Sequence, residues 1–398
     1  MATVLPFRAL RPAPDHALDV ASVPYDVINT EEARRLAEGK PFSFLHVIRP
    51  EIDLPEGTDE HDDGVYEQGA EALRRFAESD VFVTEAEPAF YVYRLVMDGR
   101  PQVGIFGLVT VAEYDDDTIL KHEKTRPDKE DDRTRHIVTQ QAHAEPVMLT
   151  YRGSARVNDL VKDAMQGDPL YGFTATDGVR HEIWRMPDAD AVRDAFAEVA
   201  KLYVADGHHR SAAASRAAKE LPDRPDAGAF MAVLFPYEEM AILPYNRVIY
   251  DLPGGPDAFL DQLRDRFELN EQAPAAPAAP GHVSLYLGGR WYGLALPETE
   301  RDTVADTLDV ARLGEHVLEP LLGITDPRTD PNIGFVGGIR GTKELERLVD
   351  EGNAQFAISM FATQPEQLLA VSDAGQLMPP KSTWFEPKLR SGLLVHQF

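Results

Sequence analysis

Leu202-Tyr203-Val204-Ala205-Asp206-Gly207-His208-His209-Arg210-Ser211-Ala212-Ala213-Ala214 decides the reading of this chain. An apolar run ends in Asp-Gly, and two histidines, an arginine and an Ala-rich stretch follow at once. That order predicts a strand, a tight turn and a helix. The first turn of a helix has free backbone N–H groups and a partial positive charge, so it attracts anions. Arg210 adds a planar fork suited to phosphate oxygens, and His208 and His209, beside Gly207, add ring donors. Asp206 brings a carboxylate to the same spot, where it can hold a metal ion that bridges phosphates. The stretch reads as a phosphate site with a metal or proton handle. The plainer reading is an Asp-Gly turn with a capped helix and solvated histidines.

Bulk properties bound what such a site can serve. With 398 residues the chain is long enough for two or three domains and a substantial core. The formal charge of −27 speaks against general affinity for nucleic acid or an anionic membrane, because both call for a net basic surface. A local cationic pocket for a small anion is compatible with that charge. Cysteine is absent, which excludes disulfides, thiolate catalysis and zinc–thiolate sites together. Met1 to Arg8 lacks the basic-then-apolar layout of a signal peptide, and the apolar runs fall well short of the roughly 20 residues that span a bilayer. The expectation is a soluble cytoplasmic protein whose partners are small molecules, with neither nucleic acid nor membrane among them.

Helical and strand signals alternate along the sequence. Thr30 is placed to cap a helix that Gly39 stops, and Asp63 to Ser79 carries apolar residues at helical spacing. Phe90 to Val96 and Val103 to Val111 read as strands around the turn Asp98-Gly99-Arg100. Val147 to Tyr151, Glu182 to Met186, Phe230 to Phe235, Val283 to Leu287 and Trp291 to Leu296 are further strands, the last two forming a hairpin across Gly288-Gly289. Ala189 to Ala200 and Ser211 to Lys219 are helices. The fold class is α/β, of the mixed α+β kind. Three prolines within Pro274 to Pro280 exclude helix interior and central strand there, leaving a domain boundary or a long surface loop.

Other groups carry chemistry-bearing residues. Lys121-His122-Glu123-Lys124-Thr125-Arg126 opens a charged segment that is either a solvated face or a site. In the second case a carboxylate takes a proton from a substrate hydroxyl while cations hold phosphates. Position 126 is arginine, so the His-Glu-x-x-His zinc motif is absent. Gly337-Gly338-Ile339-Arg340-Gly341 reads as strand, turn and helix, either a plain tight turn or a backbone cradle for an anion with Arg340 beside it. In the tail Met378 to Arg390, Lys381 and Ser382 are placed to reach a phosphate, whereas Trp384 and Phe385 read as anchors. Ser43 to Glu51 looks like a buried strand with polar residues at its exit, where α/β sites lie, and His46 within it like a core histidine. Tyr245-Asn246-Arg247 reads as a turn.

Pro24-Tyr25-Asp26-Val27, Ser43 to Glu51, Lys121 to Thr125, Ala205 to Arg210, Gly337 to Gly341 and Pro379 to Lys388 together resemble the bacterial family catalogued as domain of unknown function 1015, over nearly the whole chain. Within it, His122-Glu123 followed some eighty residues later by Asp206-Gly207-His208-His209-Arg210 is similar to the motif pair of free serine kinases of the ParB-like fold. That resemblance implies a ParB-like strand–turn–helix core over residues 101–250, between an N-terminal α/β region (1–100) and a C-terminal one (251–398). It implies Glu123 as base on the serine hydroxyl, with Glu51 in reserve and His122, Lys124 and Thr125 beside it. Asp206 becomes the metal ligand or second acid–base group, and Gly207, His208, His209 and Arg210 the phosphate grip, with Arg340, Lys381 and Ser382 as further phosphate contacts. The expected function is a small-molecule kinase forming O-phosphoserine with Mg²⁺ and ATP, ADP or pyrophosphate. The alternatives are a ParB-like nucleotide-binding or partner-binding module without turnover, and a phosphate-ester hydrolase.

Overall fold

Asp98 and Gly99 both take left-handed backbone angles (φ 51° and 78°) and reverse the chain between strands Tyr91–Met97 and Arg100–Thr110. Such a turn matches the natural twist of paired strands, and the two pair from Tyr91↔Phe106 to Met97↔Arg100. This hairpin lies inside a nine-stranded mixed sheet in a computed structural model that describes residues 1–398. The strand order is Ile119–Leu120, Leu202–Asp206, Val147–Tyr151, Ala229–Pro236, Arg100–Thr110, Tyr91–Met97, Arg180–Arg185, Tyr171–Thr174, and Val4–Leu5 also pairs with Arg100–Thr110. Ala229–Pro236 and Val147–Tyr151 are buried at every position, as expected of near-continuous apolar runs flanked by neighbours on both sides.

Phe90, Val92, Ile105, Leu149, Phe196, Leu202 and Leu234 build the core of this sheet. A second cluster gathers Phe44, Leu45, Ile48, Leu73, Phe76 and Phe82 around helix Asp63–Ala77. The mixed α/β class is the one the sequence indicates. No helix is long and apolar enough to cross a membrane.

The chain forms two compact units, Met1–Met240 with Pro387–Phe398, and Ala241–Glu386. This differs from division at 100 and 250, because the Asp98-Gly99 turn joins two strands of one sheet. The last twelve residues return to the first unit: His396–Gln397 pairs with Ala142–His143, and Val395 and Ser391 bridge to Leu10 and Ser22. The second unit has its own six-stranded sheet and core, including Leu263, Leu285, Leu313 and Phe356. The proline-rich run is a loop inside this unit, between strands Leu269–Asn270 and His282–Leu287.

Three local expectations are corrected. Ser43 to Glu51 is not a strand: Leu45–Ile48 is one helical turn and Pro50–Asp53 a 3₁₀ turn, with Pro50 opening the second and the apolar side chains buried all round. The cap of helix Thr30–Ala37 is Asn29, whose side chain accepts from the Glu32 N–H while the Glu32 carboxylate accepts from the Asn29 N–H. Tyr245–Ile249 is a strand paired on both edges, which buries Asn246 and Arg247.

The Phe196 ring is fully buried and meets Tyr151 edge-on at 5.3 Å between centroids. Phe196→Ala is expected to cost about 3–5 kcal/mol of unfolding free energy, seen as a lower urea midpoint at unchanged slope.

Candidate functional site

Strand Leu202–Asp206 runs parallel to Ile119–Leu120 and antiparallel to Val147–Tyr151, and its register with the latter slips between Val204 and Asp206. Such an irregularity re-aims the side chain at the strand's end. Gly207 follows with φ 97°, and helix His208–Glu220 starts on the next residue. A Cβ at position 207 would sit 3.1 Å from Arg210 Nε, so the glycine serves both the left-handed turn and the arginine folded over it. The Ser211 N–H donates to the Gly207 carbonyl at 2.9 Å and closes the first helical turn.

Asp206 Oδ2 lies 3.2 Å from Lys388 Nζ and 3.9 Å from the Arg210 guanidinium. Burial alone would raise the carboxyl pKa, but Lys388 and Arg210 outweigh it and hold the group well below the usual carboxylate range. Asp206 is therefore a fixed negative charge at neutral pH.

Arg210 is buried, donates to the Pro146 carbonyl, and leaves its Nε without a partner. Burial would lower its pKa, yet Asp26, Glu145 and Asp206 together raise it. Glu145 accepts from the Tyr25 N–H at 3.3 Å and from Arg133 at 3.4 Å. Burial pushes the Glu145 carboxyl up against the opposing pull of Arg210 and Arg133. Arg133 also stacks over the Tyr25 ring at 3.8 Å.

His208 is buried and meets the buried His122 ring edge-on, with 4.3 Å between centroids. Its Nδ1 is 3.8 Å from Glu123 Oε2, and its Nε2 has no hydrogen-bond partner. Burial, then His122 beside it, drives the His208 pKa well below the ordinary value, and burial takes His122 down to about 4. His209 Nε2 accepts from the Arg126 backbone N–H at 3.1 Å, which ties the loop before helix Pro127–Gln140 to the site. The site therefore offers a fixed anion, a buried guanidinium, neutral imidazoles and an open helix start.

His, Asp and Glu do not gather here in a group of three or more that would cage a metal. One carboxylate, Asp206, is the donor set of an ion held mainly by phosphates and water, as Mg²⁺ is, and not of a structural zinc or calcium site.

Of the residues singled out from the sequence, the structure brings together His122, Glu123, Asp206, Gly207, His208, His209 and Arg210. Lys124 is exposed on the same loop, and the Thr125 hydroxyl donates to Glu130. Glu51 is buried 2.7 Å from Arg49 Nε and accepts from the Thr30 hydroxyl at 3.3 Å. Arg340, Lys381 and Ser382 belong to the second unit. There Arg340 is 3.7 Å from Glu344, the Lys381 ammonium lies 5.4 Å over the Tyr245 ring, and the Ser382 hydroxyl donates to the Pro379 carbonyl. Added Cβ atoms at Gly337 and Gly338 would strike Trp384 at 2.8 Å and the Pro244 carbonyl at 2.5 Å, so those glycines admit close packing. Glu145 went unmarked in the sequence, and Arg133 and Lys388 stood there only as members of a charged segment and of the cation-rich tail, with no role at the site.

A family model described as protein of unknown function (DUF1015) matches residues 4–311. Among solved structures, a conserved hypothetical protein from Pyrococcus furiosus is 14% identical with a TM-score of 0.37, over 73% of this chain and 95% of that one. A free serine kinase in complex with AMP is 12% identical with a TM-score of 0.38, over 72% and 91%. SbnI with C-terminal truncation from Staphylococcus aureus is 13% identical with a TM-score of 0.39, over 73% and 87%. No curated protein matches the chain.

Buried histidines make the fold acid-sensitive. His122 is lowered to about 4, His143 and His181 to about 3, and His208 well below the ordinary value, all chiefly by burial. An unfolded histidine titrates near 6.5, so between these values the unfolded chain binds more protons than the folded one. Stability is then full above about pH 6.5 and falls as the pH drops toward 4, by up to about 1.4 kcal/mol per pH unit for each such ring. Urea midpoints measured from pH 7.5 to 4.5 are expected to fall steadily below 6.5; a flat profile would contradict the burial of these rings.

Proposed function

The chain belongs to the DUF1015 family, whose name fixes no activity, and from its site we propose a small-molecule kinase that phosphorylates the hydroxyl of free L-serine. The observation that carries this reading is the meeting of Glu123 with the helix start that follows Asp206: an accessible carboxylate 3.8 Å from His208, beside an anion-attracting turn. Phosphoryl transfer asks little covalent help of a protein. It needs phosphates positioned, their charge matched, and a base near the acceptor oxygen.

The donor phosphates lie at the start of helix His208–Glu220, gripped by backbone N–H groups, Arg210 and the buried imidazoles. Glu123 accepts the proton of the serine hydroxyl as its oxygen forms the new P–O bond. The bridging P–O bond of the donor breaks, and its electrons leave on the remaining phosphate. Asp206 is the residue that would hold Mg²⁺, which supplies charge neutralisation across the donor phosphates. ATP, ADP and pyrophosphate all offer the required chemistry.

Phosphorus NMR on the purified protein with Mg²⁺, each donor in turn, and L-serine present or absent tests the reading. A serine-dependent phosphomonoester matching O-phosphoserine is expected. Asp206→Asn is expected to abolish it with the fold intact, and Glu123→Gln to lower kcat by about 10²–10⁴-fold. Arg210→Ala is expected to weaken donor binding. Full turnover by Asp206→Asn, or donor left intact in every tube, would contradict the proposal.

A further inference from the structure

The last twelve residues do more than close a sheet edge. Arg390 is buried, paired with Asp177, and its backbone N–H reaches the Tyr93 hydroxyl at 3.4 Å. That hydroxyl is itself 2.7 Å from His181 Nδ1. Ser391 exchanges two backbone hydrogen bonds with Ser22, at 2.9 and 3.1 Å, and the Tyr171 hydroxyl donates to the Leu393 carbonyl at 2.5 Å. Leu389, Leu393, Leu394 and Val395 are all buried. Lys388 stands immediately before this anchored run, with its side chain only 14% exposed.

Lys388 and the anchored run after it touch two of the three carboxylates that raise the Arg210 pKa, Asp206 and Glu145. Lys388 Nζ lies 3.2 Å from Asp206 Oδ2, and Ser391 Oγ lies 3.5 Å from Glu145 Oε1. One oxygen of Asp206 thus faces two cations, Lys388 and Arg210, at the start of a helix whose residues include two buried polar atoms without partners, His208 Nε2 and Arg210 Nε. Ordering a lysine side chain costs side-chain entropy, and a surface ion pair returns little for it. Here the backbone on its C-terminal side is already fixed, so the ammonium arrives pre-positioned. A compact point charge beside a carboxylate suited to Mg²⁺ is one contact away from any phosphate oxygen bound there.

We propose that Lys388 is a phosphate-contacting residue of this site, delivered by the C-terminal segment, and that the bound group is a polyphosphate whose outermost phosphate is reached by both Lys388 and Arg210. The inference takes its reaction from the kinase reading above, where Lys388 would neutralise charge on the transferring phosphoryl group. Its anion-binding claim stands apart from that reaction.

Full-length wild type, Lys388→Ala, Lys388→Met and Lys388→Arg are titrated with pyrophosphate and Mg²⁺ by calorimetry. Amide hydrogen exchange is followed over residues 389–395, and kcat and donor KM are measured wherever turnover occurs. The expected result is pyrophosphate binding weakened tenfold or more in the alanine and methionine variants, partly restored in the arginine variant, with exchange unchanged. A lysine that only pins the tail gives the opposite pattern: faster exchange and unaltered pyrophosphate affinity. That pattern overturns the proposal, as does a wild type that does not bind pyrophosphate. Weakened binding in Lys388→Ala beside a wild type that never phosphorylates serine removes the kinase reading and leaves Lys388 standing. Transfer by wild type with unchanged kcat, KM and affinity in the variants removes Lys388 and leaves the kinase.

Discussion

One carboxylate oxygen, Asp206 Oδ2, sits between the Lys388 ammonium and the Arg210 guanidinium, and the site depends on that arrangement. It joins three parts of the chain: the end of a central strand, the first turn of the following helix, and the C-terminal segment. Each part is held by its own local physics. The strand end is re-aimed by a register slip against Val147–Tyr151, the turn by Gly207 in the left-handed region, and the tail by buried leucines and the Arg390–Asp177 pair. The pairing is redundant: with Lys388 gone Asp206 still faces Arg210, and Arg210 itself is also balanced by Asp26 and Glu145.

Three of the groups around this centre, His122, His208 and Arg210, are buried. His122 and His208 are neutral because burial disfavours their charged forms, so they offer ring nitrogens without adding positive charge. Arg210 and Glu145 are both shifted upward, by different causes: carboxylates raise the first against burial, and burial raises the second against two arginines. Low dielectric strengthens each of these interactions, and it would strengthen those made to a bound phosphate equally.

Much of the fold was legible because it follows short-range rules. The Asp98-Gly99 hairpin, the buried strands Val147–Tyr151 and Ala229–Pro236, and the strand–turn–helix at Asp206-Gly207 all carry local signals. Ser43 to Glu51 misled because a short apolar run has the same appearance in a buried helix turn as in a buried strand, and Pro50 was the sign against the strand. The cluster from Asp206 to Arg210, with His122 and Glu123, was visible as residue types at a telling spacing. Lys388 was not, since it meets Asp206 across 182 residues and only tertiary packing brings them together. Glu145 was hidden for a related reason: an isolated carboxylate in a sequence gives no sign that two arginines flank it.

The most direct test of this account is where an anion and a divalent ion bind. Crystals of the full-length protein grown with pyrophosphate and Mn²⁺, a Mg²⁺ substitute visible by anomalous scattering, would answer it. The account predicts a manganese peak at the Asp206 carboxylate and phosphate oxygens on Arg210, Lys388 and the backbone N–H groups at the start of helix His208–Glu220. Pyrophosphate seated elsewhere, with Asp206 still bound to Lys388 and carrying no metal, would contradict it.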